Sequence, residues 1–264
     1  MEYNELAEAL AETGAEGIDL LVRQGGHVLP EKVETDLPKA VEAARKKGLE
    51  VDMIVTSIKG IDEPYAKQII KTASLLGINH YRMGYYQYDV ALGVLGTLKK
   101  LQNKVRQVEE YNAKFNIHGS YQNHHGGMVG GSIWDLHLLI QKCDPRYLGC
   151  QYDIRHAVAE GGSSWKADLE LIAPWIKCIV IKDFVWQLKS NGWYPTSVPL
   201  GDGMVDFEAY FQLLQKFNIS GPITVHFEYQ PFDNFNKNDF IMGKETYLVP
   251  MKKDLGKLNK ILTV

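Results

Sequence analysis

Leu148-Gly149-Cys150-Gln151-Tyr152-Asp153-Ile154-Arg155-His156, then Trp165 to Ile172, then Ile176-Lys177-Cys178-Ile179-Val180-Ile181-Lys182-Asp183, reads as strand, helix, strand. Each strand is a short apolar run that ends in charged or imidazole side chains. Between them, Trp165, Leu169 and Ile172 recur at helical spacing. Outward from this unit the same alternation continues. Strands are predicted to start near residues 16, 50, 80, 115, 147, 176 and 223, and a period of roughly 30–35 residues is that of a βα unit.

The individual readings are Glu16 to Val22, Val51 to Thr56, His80 to Tyr86, Phe115 to His124, Leu148 to Asp153, Ile176 to Ile181 and Ile223 to Glu228 for strands. Helices are read at Tyr3 to Leu10, Pro38 to Lys47, Ala66 to Leu76, Leu92 to Asn112, Ile133 to Gln141, Trp165 to Ile172, Phe207 to Phe217 and Lys244 to Leu262, the last kinked or split at Pro250. A (β/α)8 TIM barrel has eight of each over about 250 residues. The pattern therefore predicts an α/β chain of that kind whose first strand is missing from the supplied sequence, with residues 1–264 as one domain. The wound open sheet is the rival, but no GxGxxG follows the first visible strand at Gly25-Gly26.

At 264 residues, 45% hydrophobic and 23% charged, the chain has the balance of a globular protein. Twenty-nine Lys and Arg against 32 Asp and Glu leave a formal charge of −3, which argues against a general nucleic-acid binder. No apolar run reaches the roughly 20 residues of a membrane helix, and Cys143, Cys150 and Cys178 form no CxxC pair. Localisation stays open: cytoplasmic, or periplasmic if an export signal preceded Met1.

A barrel places its chemistry at the C-terminal ends of its strands. The candidates there are Arg82; Gln122 and His124; Asp153, Arg155 and His156; Lys182; and His226 and Glu228. Alternation along a strand groups Ser120, Gln122 and His124 on one face, Gln151, Asp153 and Arg155 on another, and Thr224, His226 and Glu228 on a third. Two carboxylates, a lysine and several histidines at one mouth suit metal binding or proton transfer. Asp153 also suits a cap for the segment after it. His80 begins its strand and His137 sits in a helix, so both are expected to be structural. Gly126-Gly127-Met128-Val129-Gly130-Gly131 is either an anion cradle or a connector.

Four stretches resemble the xylose-isomerase-like TIM barrels, the sugar phosphate isomerase/epimerase family. They are Gly17-Ile18-Asp19-Leu20, Tyr121-Gln122-Asn123-His124, Asp153-Ile154-Arg155-His156, and Ile181-Lys182-Asp183 with Val198-Pro199-Leu200-Gly201-Asp202-Gly203-Met204-Val205-Asp206-Phe207. The last is the most specific. The resemblance implies one divalent metal (Mn, Mg or Zn) held by positions that are here Gln122, Asp153, Val180 and Glu228, with His156 on the substrate. Gln122 is a weak ligand and Val180 no ligand at all, leaving Asp153, Glu228 and Gln122 as the remaining set, with His124, His156 or His226 as substitutes.

The expected activity is a sugar or polyol isomerase or epimerase working by proton transfer next to a carbonyl through an enediolate. Glu228 is the base, with Asp153, Lys182 and His156 as further catalytic groups. Arg82, His124, Arg155, His226 and Trp193 are expected on the substrate. The partner is a small carbohydrate, with no nucleic acid and no membrane; a homo-oligomer is left open. A lyase or dehydratase of the same barrel class, a noncatalytic carbohydrate-binding barrel and a DNA-repair endonuclease are the rivals. In the folded chain, Val198 to Asp206 is expected beside the mouth, with Asp206 capping the helix at Phe207.

Overall fold

The computed structural model describes residues 2–235, 239–240 and 243–262. The chain runs α1 (Tyr3–Ala11), β1 (Leu20–Val22), α2 (Val33–Lys46), β2 (Met53–Thr56), α3 (Ala66–Leu75), β3 (His80–Arg82), α4 (Gly93–Phe115), β4 (His118–Gln122), α5 (Ile133–Ile140), β5 (Leu148–Asp153), α6 (Ile154–Gly161) and α7 (Trp165–Ile172). It continues β6 (Ile176–Ile181), β7 (Asp183–Lys189), β8 (Gly192–Val198), α8 (Phe207–Lys216), β9 (Ile223–Val225) and α9 (Glu245–Leu262).

Seven strands pair in chain order, β1-β2-β3-β4-β5-β6-β9, and every pairing is parallel. The twisted sheet curls until its edges face each other, and Thr224 Oγ1 on β9 donates to Asp19 Oδ2 just before β1 at 2.8 Å. Among the described residues no ladder joins those edges. This seam is where the strand expected to be missing would lie in an eight-stranded barrel. The helices bury one stripe each against the outer face; α2 buries Val33, Leu37, Ala40, Val41 and Ala44.

Several boundaries differ from the sequence reading. Phe115 belongs to α4, which runs on until Asn116 takes a left-handed φ of 48° and stops it, so β4 starts only at His118. β1, β3 and β9 are three residues each, the length over which each is paired with its neighbours. α2 begins at Val33, ahead of Pro38, because the buried stripe begins there. α9 passes Pro250 unbroken among the described residues; the proline lies early in the helix, where it removes one intrahelical bond.

Two elements were not foreseen. Ile154-Arg155-His156 is the first turn of α6 and not the end of a strand, so Arg155 does not share a strand face with Asp153. The Asp153 carboxylate accepts from the His156 backbone N–H at 3.2 Å and starts the helix there. The segment after Lys182 is an antiparallel hairpin, β7–β8, turned at Ser190-Asn191, with Gly192 just after the turn at φ 125°.

The glycine-rich loop after β8 is fastened to Asp183. Its carboxylate accepts from the backbone N–H of Phe184 (2.8 Å), Gly201 (2.9 Å), Gly203 (2.9 Å) and Val205 (3.2 Å). A side chain at Gly203 would meet Asp183 Oδ1 at 2.1 Å, so the glycine is required by close approach. Asp206 accepts from Ala209 N–H at 3.0 Å and caps α8, as expected. Since Asp183 follows Lys182 directly, the loop is held beside the strand end. Asp183→Ala strands these amides, and an unpaired buried donor costs about 1–3 kcal/mol. Thermal or urea unfolding is expected to show a loss of roughly 3–5 kcal/mol, with Asp183→Asn intermediate.

Candidate active site

Strand alternation and parallel register bring four strand ends to one place. Lys182 follows β6 and is buried. Its Nζ lies 3.0 Å from Asp153 Oδ2, 3.2 Å from both Glu228 oxygens and 2.9 Å from His156 Nε2. Asp153, 0% exposed, also accepts from Gln122 Nε2 at 2.8 Å. Gln122 Oε1 accepts in turn from Arg82 Nη1 at 2.9 Å and the Tyr85 hydroxyl at 2.7 Å. Asn123 locks β4 to β5 at the same level, donating to the Asp153 carbonyl at 2.9 Å and accepting from its N–H at 2.7 Å.

Glu228 is the carboxylate of this cluster that meets solvent, with its side chain 48% exposed. Burial pushes its carboxyl up, but the hydrogen bond from His226 and the charge of Lys182 outweigh that and hold it below the usual range. Glu228 is therefore ionised at neutral pH. His226 Nδ1 stands 3.5 Å from Glu228 Oε1. Asp19, at the seam, is pushed up by burial.

Beside the carboxylates stand three imidazoles. The rings of His124 and His156 are 4.1 Å apart, and those of His125 and His156 4.7 Å. Burial first, then the Lys182 ammonium, drives His156 far below the ordinary histidine value. His124 is also lowered by burial, and His125 falls to about 4 through burial and Arg155. A neutral imidazole has one acceptor nitrogen, and Lys182 has donors only, so it takes Nε2 of His156. His156 Nδ1 lies 2.7 Å from His125 Nδ1, and the Arg155 guanidinium stands against both nitrogens, its Nη1 2.9 Å from His156 Nδ1 and 2.7 Å from His125 Nδ1.

Gln122, Asp153, Lys182, His156 and Glu228 thus meet, with Arg82, His124, Arg155 and His226 around them. Trp193 does not join them. It lies next to the hairpin turn, 63% exposed, and among the described residues makes no hydrogen bond or ring contact with the cluster. Tyr85, Asn123, His125 and Asp19 carried no role in the sequence reading. Asp19 and Asn123 stood inside quoted motifs and His125 directly follows one; nothing local marks Tyr85, because only the fold brings it to Gln122. In the glycine loop, Gly126 N–H donates to Glu160 and Gly130 N–H to Asp135, so protein carboxylates take those amides.

The xylose isomerase-like TIM barrel family matches residues 7–242. The chain belongs to this family. No curated protein matches it in sequence. Among solved structures, a xylose isomerase-like TIM barrel protein from Mycobacterium smegmatis in complex with magnesium aligns at TM-score 0.75 and 14% identity, over 99% of this chain and 88% of that one. A D-psicose 3-epimerase from Clostridium cellulolyticum H10 with D-tagatose aligns at 0.73 and 9%, over 99% and 94%. The probable 3-DHS dehydratase AsbF of Bacillus anthracis aligns at 0.70 and 17%, over 98% and 94%. At these identities the likeness is one of fold.

Family members often hold a divalent metal, and the donors at the corresponding positions here do not fit one. Val180 has no donor atom and is fully buried. Gln122 turns its amide nitrogen to Asp153 and spends its oxygen on Arg82 and Tyr85. The Lys182 ammonium stands between Asp153 and Glu228, where a cation would have to bind. The nearby set of His124, His125 and His156 is close enough in space, but Lys182 and Arg155 occupy its nitrogens and would repel a second positive charge.

Neutral histidines make stability depend on pH. Unfolded histidine titrates near 6.5, whereas folded His125 titrates at about 4 and buried His118 at about 3. Between those values the unfolded chain binds more protons, so stability is intact above about 6.5 and falls as pH drops towards 4. The melting temperature measured across that window should decline, and His125→Gln should decline less steeply.

Proposed function

We propose that residues 1–264 act as a single domain that isomerises or epimerises a sugar or sugar derivative by proton transfer next to a carbonyl, without a metal at the mouth. The observation that carries this reading is the pair of Glu228, ionised and open to solvent, and Lys182, a buried ammonium 3.2 Å from it. Proton abstraction beside a carbonyl needs a base on the carbon and positive charge on the oxygen as the enediolate forms. Glu228 takes the proton. Lys182 turns a donor to the oxygen, in the dry setting where such a charge counts most.

Asp153 has its oxygens filled by Lys182, Gln122 and the His156 N–H, so in this reading it positions the ammonium and does not exchange protons. His156, held neutral, accepts from Lys182 and keeps one Nζ hydrogen directed away from the substrate. Arg82, His124 and His226 are offered as hydroxyl partners around the mouth, and Arg155 as support for the imidazole layer. The epimerases among the structural neighbours agree with the class of substrate; AsbF is described as a probable dehydratase, a reaction that can share the first proton abstraction.

Incubation with a panel of ketoses and keto-sugars in deuterated water tests the proposal. Carbon-bound deuterium is expected in one substrate, and loss of water with it would reassign the enzyme as a dehydratase. Glu228→Gln should lower turnover by about 10²–10⁴-fold, the range of a general base. Lys182→Met should lower it comparably, while chelator treatment leaves the wild type active. Activity that vanishes on chelation and returns with Mn²⁺ or Mg²⁺ would sink the metal-free mechanism. No exchange with any sugar would favour a noncatalytic barrel.

A further inference from the structure

At the opposite pole of the barrel a second cluster is built from residues that the mouth does not use. His80 opens β3, His118 opens β4 and Cys178 lies in β6. A ligand nitrogen from each imidazole and the Cys178 sulfur all lie within 4.8 Å of one another. Cys178 stands four residues before Lys182 along the strand, about 13 Å at the usual rise, so the two clusters are separate.

We propose that His80, His118 and Cys178 form a zinc-class structural metal site at the N-terminal end of the barrel. Its donors are those of a borderline-soft divalent cation, two imidazoles and a thiolate, with the fourth position open to water.

Four observations point the same way. His118 is 5% exposed and its Nε2 has no partner, whereas buried polar atoms are ordinarily satisfied. That nitrogen lies beside Gly149, which has no side chain to fill the space next to it; an added Cβ would meet the Trp175 carbonyl oxygen at 2.2 Å and His118 Nε2 at 3.0 Å. The Asp52 carboxylate takes Nδ1 of His80 at 3.0 Å, the carboxylate–imidazole arrangement that orients a metal-bound histidine and leaves Nε2 free. Ser120 Oγ lies 3.0 Å from His118 Nδ1 and 3.4 Å from Cys178 Sγ, holding imidazole and sulfur together.

The separations and charges suit the cation. Tetrahedral zinc with N and S ligands needs about 3.3–3.7 Å between donor atoms, so side-chain rotations of about an ångström close the site. Binding forms the metal–sulfur bond and releases the Cys178 proton to solvent. The dication, the thiolate and the Asp52 carboxylate then sum to no net charge. His80 is partly exposed and Asp52 more so, which gives an entry path from solvent.

Cobalt(II) reads this site selectively, because a thiolate–cobalt charge-transfer band requires a cysteine and the mouth cluster contains none. Reduced, chelator-treated full-length protein is titrated with Co²⁺, and zinc is added to displace it. One equivalent of band-forming cobalt is expected. Cys178→Ser and His118→Gln should abolish the band, with folding checked by circular dichroism. Cys143→Ser and Cys150→Ser should keep it, and Asp52→Asn should weaken zinc affinity by about 10–100-fold. Wild-type protein that shows no band at saturating cobalt overturns the proposal, as does a band that survives Cys178→Ser. Neither result bears on the chemistry at Lys182 and Glu228, which deuterium exchange reads separately.

Discussion

A lysine ammonium 2% exposed inside a barrel has to be neutralised where it stands, since an unpaired buried charge is intolerable to a fold. Much of the mouth answers to that requirement. Asp153 supplies the buried countercharge, Gln122 and the α6 amide fill the remaining oxygen sites, and Glu228 supplies the second carboxylate from β9. His156 is held neutral by burial first and by the same ammonium second, and so accepts a hydrogen bond from Lys182. The absence of a donor at Val180 and the presence of Lys182 two residues on belong to one arrangement. In the metal-free mechanism proposed above, charge that a cation would bring is carried by the chain.

The residue after Lys182 does the complementary work. At the end of β6, Lys182 turns into the barrel and Asp183 turns to the loop, where it gathers four backbone amides. Site and loop are thus tied through a single peptide bond. Asp153 likewise has two tasks, capping α6 as its residue type suggested and pairing the Lys182 ammonium.

Between the two poles the barrel interior is polar along much of its length. Ser120 and Gln122 follow His118 on β4; Gln151 and Asp153 follow Gly149 on β5; Cys178 and Lys182 share β6 and its end. Packed barrels of this kind are usually filled with branched apolar side chains. Here hydrogen bonds such as Gln151 Nε2 to Met53 Sδ at 3.6 Å take their place. A metal at His80, His118 and Cys178 would close the lower end of this column as Lys182 closes the upper.

The architecture was legible in the sequence because a βα period and apolar strands with polar ends are local properties. The strand ends Gln122, Asp153, Lys182 and Glu228 could be named for the same reason. The limits of that reading have a physical cause. Ile154-Arg155-His156 looks extended until the Asp153 side chain caps it, and Trp186 to Tyr194 becomes a hairpin only when Asp183 and Val198 pair. Tyr85 reaches Gln122, and Thr224 reaches Asp19 across 205 residues, through the curl of the sheet. Residue types and their order set which groups stand at the strand ends. Which of them touch, and hence that an ammonium stands where a metal is expected, was decided by the closure of the sheet, because contact between distant strands depends on register and curvature that no local pattern contains.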